Sequence, residues 1–143
     1  MDWDVHAARE EARYADGEGR LADEPDARQR QLVRMAMAAG GAGLARVMQS
    51  RTREAAFWFT RSAERYRESY AAAPPGSWGR VVGAIKARLL ARDVEGERAD
   101  AAWAFEVGAD RSESAIGRYA ATLAALVEED DDLASRLAAS LLA

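Results

Sequence analysis

The only histidine of the chain, His6, is the natural starting point for metal chemistry. Asp2, His6 and Glu10 follow one another at four-residue intervals, so on a helix they would share one face. Imidazole and carboxylate groups are common metal ligands. A di-iron bundle, however, needs a Glu-x-x-His motif from each of two helices, and the chain has no second histidine. The spacing therefore predicts a solvated helix face, with no metal and no cofactor.

A second segment with possible chemistry is residues 39–45, which contains Gly40, Gly41 and Gly43. Glycine-rich loops hold phosphate groups, but the dinucleotide fingerprint needs a preceding strand and a fixed glycine register. A P-loop needs a lysine followed by a hydroxyl residue. The segment follows no predicted strand and lacks the fixed glycine register. It also lacks the lysine followed by a hydroxyl residue. It predicts small residues that let two helices pack closely, or a local kink.

Catalytic groups are not apparent elsewhere. The chain has no cysteine, which excludes thiol nucleophiles, disulfides and zinc–thiolate sites. No serine stands in a nucleophile elbow. The acidic run 128–132 lacks the alternating ligands and the glycine of a calcium loop, so it is predicted to be a solvated turn before a helix. We predict no catalytic, cofactor-binding or metal-binding residues, and a protein that is not an enzyme.

Composition limits the partners and the compartment. The 143 residues carry a formal net charge of −4, which argues against nucleic-acid binding because that needs a basic surface. The first five residues are acidic and lack the apolar core of a secretory signal. No apolar run approaches the ~20 residues of a membrane span. The sequence predicts a single soluble, cytoplasmic domain, residues 1–143, without nucleic-acid or membrane partners.

Helical periodicity is present throughout, and no segment alternates with a period of two. We predict an all-α fold of about seven helices. Their approximate ranges or marker residues are 2–14, 25–49, 52–73, 77–92, the set Ala99, Ala102, Trp103 and Val107, the set Ile116, Tyr119, Leu123 and Leu126, and the set Leu133, Leu137 and Leu141. The second helix is apolar on more than one side, which predicts a central position.

Three consecutive aromatic residues, Phe57, Trp58 and Phe59, lie in the third predicted helix. Neighbouring helix positions differ by about 100°, so the three rings cannot face one core. At least one ring is therefore expected to meet a second packing partner.

The helices group into an N-terminal helix, residues 1–20, and three hairpins, 26–73, 77–108 and 110–142. In the first hairpin, Ser62, Tyr66 and Ser69 combine small and aromatic residues on one helix, and Pro74 stops it. This pattern resembles the closing half of a tetratricopeptide repeat, and Ala99 and Trp103 repeat part of it. The fold class is therefore a short array of this kind or an irregular helical bundle.

The resemblance implies a groove that binds acidic peptide segments. The fourth predicted helix is basic, with Arg80, Lys86, Arg88 and Arg92 behind Trp78. By resemblance, Trp78, Arg80 and Arg88 would bind the partner.

Three functions are compatible with these patterns. The first is a non-catalytic protein–protein interaction module or adaptor that binds another protein through an acidic segment. The second is a self-associating structural protein, a homo-oligomer in which the last helix, with Leu133, Leu137 and Leu141, docks on another copy. The third is a small-molecule-binding protein or enzyme with a pocket between helices.

Overall fold

All regular structure in the described part of the chain is helical, which confirms the all-α prediction for that part. The computed structural model describes residues 1–72, 78–92, 95–96, 99–100 and 103, without the side chains of 78–82 and 89. It contains α1 (Trp3–Gly19), α2 (Pro25–Met48), α3 (Thr52–Ala72) and α4 (Trp78–Ala91). The sixth and seventh predicted helices, and the hairpin 110–142, lie outside the described residues.

Helix α1 begins where the sequence predicts. The Asp2 side chain accepts hydrogen bonds from the backbone N–H groups of Asp4 and Val5, as an N-cap does. The helix continues past residue 14, its predicted end, to Gly19. Gly17 lies inside the helix where it approaches α2, and a Cβ atom there would lie 2.5 Å from the Met35 Cγ, so the close contact favours glycine at this position.

Helix α2 begins at Pro25, as predicted. Glu24 caps it by accepting from the N–H groups of Asp26 and Ala27, and these two bonds lower the pKa of the Glu24 carboxyl. Its central position is confirmed, because α2 packs against both α1 and α3. The residues on the buried side are mostly small, namely Ala36, Ala38, Ala39, Ala42, Gly43 and Ala45.

The link between α2 and α3 is a Schellman motif. Ser50 has a φ of 57°, its N–H donates to the Val47 carbonyl, and the Arg51 N–H donates to the Arg46 carbonyl. The chain thereby reverses, and α3 returns antiparallel along α2. Ser62 Oγ donates to the Ala36 carbonyl over 2.7 Å, and Gln29 Nε2 donates to the Ser69 carbonyl over 3.1 Å.

The three consecutive aromatics of α3 take three different environments. Phe59 is buried against Gly43 of α2. Trp58 packs edge-on against Tyr14 of α1, with ring centroids 5.4 Å apart. Phe57 is half exposed, and the Arg61 guanidinium lies 4.6 Å from its ring centroid. The expectation of more than one packing partner is therefore confirmed.

Helix α4 packs on α3. The Tyr66 ring lies in this contact, because a Cβ atom on Gly83 of α4 would lie 2.9 Å from it. Farther along the chain, Trp103 packs edge-on against Tyr70, with ring centroids 5.4 Å apart. None of the helices in the described ranges has the length and hydropathy needed to cross a bilayer.

The close contact between α2 and α3 predicts an unequal response to two glycine substitutions. In Gly43→Ala, the new Cβ would lie 2.7 Å from two atoms of the Phe59 ring. We expect destabilisation by about 1–3 kcal/mol, although alanine favours helix. Gly19→Ala is the matched control, because nothing lies within 4 Å of its Cβ position. Chemical denaturation measures both, and equal stability of the two variants would contradict the predicted close packing.

Candidate protein-binding surface

The predicted binding residues lie on α4, but only one has a described side chain. Trp78 is the first residue of α4 and Arg80 lies in its first turn, with both side chains outside the described part. Arg88 lies in the last turn, and its side chain is 14% exposed. The structure thus places all three on one helix and describes the interactions of Arg88 alone.

Arg88 binds a carboxylate from its own chain. Its Nε atom lies 3.1 Å from Asp100 Oδ2, and Arg67 Nη1 of α3 lies 2.8 Å from Asp100 Oδ1. The Asp100 side chain is 1% exposed, so these two cations stabilise a buried charge. The Arg67 guanidinium also lies 4.9 Å from the Trp103 ring centroid. Arg88 therefore holds α4 to α3 through the segment around Asp100.

Removing either cation should cost stability in proportion to its burial. Arg88→Met leaves Asp100 with one partner in a buried site, and we expect a loss of about 3 kcal/mol. Arg67→Met also removes a partner of the buried carboxylate, but Arg67 is 43% exposed and water can take its place, so we expect a smaller loss than for Arg88→Met. Urea denaturation of the two variants tests the order, and an equal or larger effect of Arg67→Met would contradict it.

The contact between α3 and α4 also contains a titratable group. Burial raises the pKa of the Tyr66 hydroxyl above its usual value of 10.0. The folded protein therefore favours the neutral phenol. The resulting stabilisation is complete below the unfolded pKa and disappears as the pH rises through the folded pKa.

This shift predicts alkaline sensitivity that depends on Tyr66. Between about pH 9 and pH 11, the wild type should lose more unfolding free energy than Tyr66→Phe, which cannot ionise there. Thermal unfolding followed at several pH values measures the difference. Parallel pH profiles for the two proteins would show that Tyr66 ionises equally in both states.

The most extensive exposed apolar surface within the described ranges lies on α2. Met37, Leu44, Val47 and Met48 are 62%, 49%, 46% and 53% exposed. With the partly exposed Val33 they lie on the side of the helix opposite the buried alanines. We call these five residues, together with Gly40 and Gly41 between them, the outer face of α2. Solvent-exposed clusters of large apolar residues usually mark binding sites.

The two glycines give the outer face its shape. A Cβ atom on Gly40 would point to Ser62 of α3, and one on Gly41 would point to Glu10 of α1, 3.1 Å from its Cγ. The outward surface between Met37 and Leu44 is therefore bare backbone, a notch flanked by two large side chains. The prediction that small residues in this segment permit close helix packing is confirmed at Gly41 and at Gly43, whose Cβ positions lie 3.1 Å from Glu10 and 2.7 Å from Phe59.

A charged cleft of about 560 Å³ lies beside the outer face, between α1 and α2. Its ion pairs join Arg13 to Glu10 at 3.1 Å and Arg20 to Asp16 at 3.1 Å. Arg34 is exposed and forms no ion pair with any described residue. The cleft also contains Met35, Met37 and Ala38. It is thus continuous with the outer face through Met37 and carries an unmatched positive charge.

The face containing His6 differs from its prediction. Asp2 and His6 are exposed or partly exposed, but Glu10 is 7% exposed and packs against Gly41. The Glu10 carboxylate pairs with Arg9 and Arg13, and Arg9 Nη2 lies 2.7 Å from His6 Nδ1. In the described ranges, no three acidic, histidine or cysteine side chains are grouped as metal ligands.

Two features of this surface were not found by sequence reasoning. Asp100 was not singled out, because its partners Arg67 and Arg88 are distant along the chain. The outer face of α2 had a visible signal, since Met37, Leu44 and Met48 recur at helical spacing. That signal was interpreted as an apolar character on more than one side of the helix, and hence as a sign of a central position.

Comparison of the chain with protein-family models, with curated proteins and with solved structures returned no match.

Proposed function

We propose that the protein is a non-catalytic protein–protein interaction module that binds its partner on the outer face of α2. The observation that carries the proposal is the exposure of Met37, Leu44 and Met48 on one side of a helix whose other sides are packed. Burying each such side chain is worth about 1.5–3 kcal/mol, so the face favours a partner that covers it.

The binding residues first predicted, Trp78, Arg80 and Arg88, remain a second proposed surface on α4. Arg88 already pairs with the buried Asp100, so its reversal to glutamate would place two carboxylates together and endanger the fold. Arg80→Glu alone is therefore the better test of that surface. Consecutive helices pack each against the next, which is compatible with a tetratricopeptide-like array and equally with an irregular bundle.

Two other functions have some support. Self-association would bury the outer face of α2 against another copy. Small-molecule binding would use the cleft between α1 and α2, whose volume of about 560 Å³ lies in the range of ligand pockets. The cleft residues are mainly charged and paired with one another, whereas ligand pockets are mainly apolar, so we favour protein binding.

The proposed surface predicts that one substitution separates partner capture from folding. Full-length protein would be used to capture partners from cells that produce it, and Leu44→Glu should lose at least tenfold of the captured partner. Leu44 is 49% exposed, so the variant should keep its helical circular dichroism and unfolding temperature.

Val5→Glu is the matched control for this experiment. Val5 is an exposed apolar residue of α1, 62% exposed, outside the outer face of α2. The Val5→Glu variant should capture the same amount of the partner as the wild type. If Leu44→Glu and Val5→Glu capture equal amounts of the partner, the outer face of α2 is not the binding surface. If only Arg80→Glu loses the partner, the binding surface lies on α4.

A further inference from the structure

The dimensions of the outer face of α2 limit what covers it. From Val33 to Met48 the helix advances by about 22 Å, at 1.5 Å per residue. The apolar surface is a single stripe, with α1 on one side and α3 on the other. A second helix laid along the stripe matches its length and width. Helices that bind in this way insert large apolar residues at helical spacing.

The notch at Gly40 and Gly41 gives such a helix a fixed register. Large side chains, Met37 and Leu44, flank bare backbone. One protruding leucine of the partner fits between Met37 and Leu44. The leucines one turn before and one turn after it would pack on the far sides of these two residues. Side chains spaced by three or four residues lie on one face of a helix, as this packing requires.

The charges of the cleft beside the stripe determine the polar part of the partner. Three arginines, Arg13, Arg20 and Arg34, line the cleft together with two carboxylates, Glu10 and Asp16. The Glu10 side chain is 9% exposed and already paired, so it presents little charge to a partner. Arg34 has no ion-pair partner among the described residues. The excess is positive, which favours an acidic ligand.

We propose that the outer face of α2 binds an acidic amphipathic helix of the partner. Leucines at four-residue intervals occupy the stripe and the notch, and carboxylates at one end pair with Arg34 and Arg20 beside the cleft. The inference rests on the proposed function and specifies the chemistry of its partner. Guanidinium groups bind carboxylates through paired hydrogen bonds, so Arg34 would contribute orientation as well as affinity.

A designed synthetic peptide supplies a suitable probe. It contains five consecutive carboxylates followed by three leucines at four-residue intervals, in a sequence that does not occur in this chain. Its binding to full-length protein would be measured by fluorescence anisotropy. Two control peptides replace either the three leucines by serine or the five carboxylates by the corresponding amides.

Protein variants then test the apolar part and the charged part of the site separately. Leu44→Glu should weaken peptide binding at least tenfold, and Arg34→Glu should weaken it by about fivefold. The matched controls are Val5→Glu and Arg53→Glu, which change an exposed apolar residue of α1 and an exposed arginine of α3. Both controls should bind like the wild type. Raising the salt concentration should weaken the wild type more than Arg34→Glu, since screening acts on the exposed pair.

The outcomes separate this inference from the proposed function. Binding that is lost with either control peptide and with both α2 variants supports an acidic amphipathic ligand. Failure of the acidic peptide to bind, or equal binding by Arg34→Glu and Arg53→Glu, overturns it. The proposed function would then still be decided by partner capture with Leu44→Glu. A light-scattering mass of two chains that falls to one in Leu44→Glu would assign the face to a second copy and also overturn the inference.

Discussion

The close approach of α2 to both of its neighbours is the constraint on which the rest of this structure depends. Alanine and glycine fill its buried sides, so the helix backbone lies near the side chains of α1 and α3. Phe59 fits against Gly43, Glu10 against Gly41, and Met35 against Gly17. The Ser62 hydroxyl reaches the Ala36 carbonyl for the same reason. Larger residues on this side would separate the helices and leave those contacts unmade.

The same packing explains where charge is found. Arg46 lies among three helices and pairs with Glu11 of α1 and Glu54 of α3. Arg65 of α3 donates to the Tyr14 hydroxyl and pairs with Glu18 of α1. Burial works against the Arg65 cation, but its bonds to Tyr14 and Glu68 prevail and raise its pKa. With the small residues holding the backbones close, long arginine side chains link the outer edges of the bundle.

Local signals were sufficient to predict most of the N-terminal fold. Asp2, Pro25 and the helical periodicity located the starts of α1 and α2, and apolar residues on more than one side of α2 predicted its central position. Helix α1 was predicted to end at residue 14, and the contact of Gly17 in its last part is with Met35, which is distant in sequence. Arg88 was predicted to bind a partner protein, whereas tertiary packing brings Asp100 of the same chain to it. Periodicity in the sequence shows that a helix has an apolar side. It does not show whether another helix covers that side, because this depends on tertiary packing.

The order of helix packing has a consequence for how the protein folds. Within the described ranges, the helices with the principal contacts are neighbours in the chain: α1 with α2, α2 with α3 and α3 with α4. Closing the short segments between them costs little chain entropy. Such local topologies have low contact order and fold on the microsecond to millisecond scale. From α2 onward, each helix that emerges during synthesis can therefore pack on a helix that is already made.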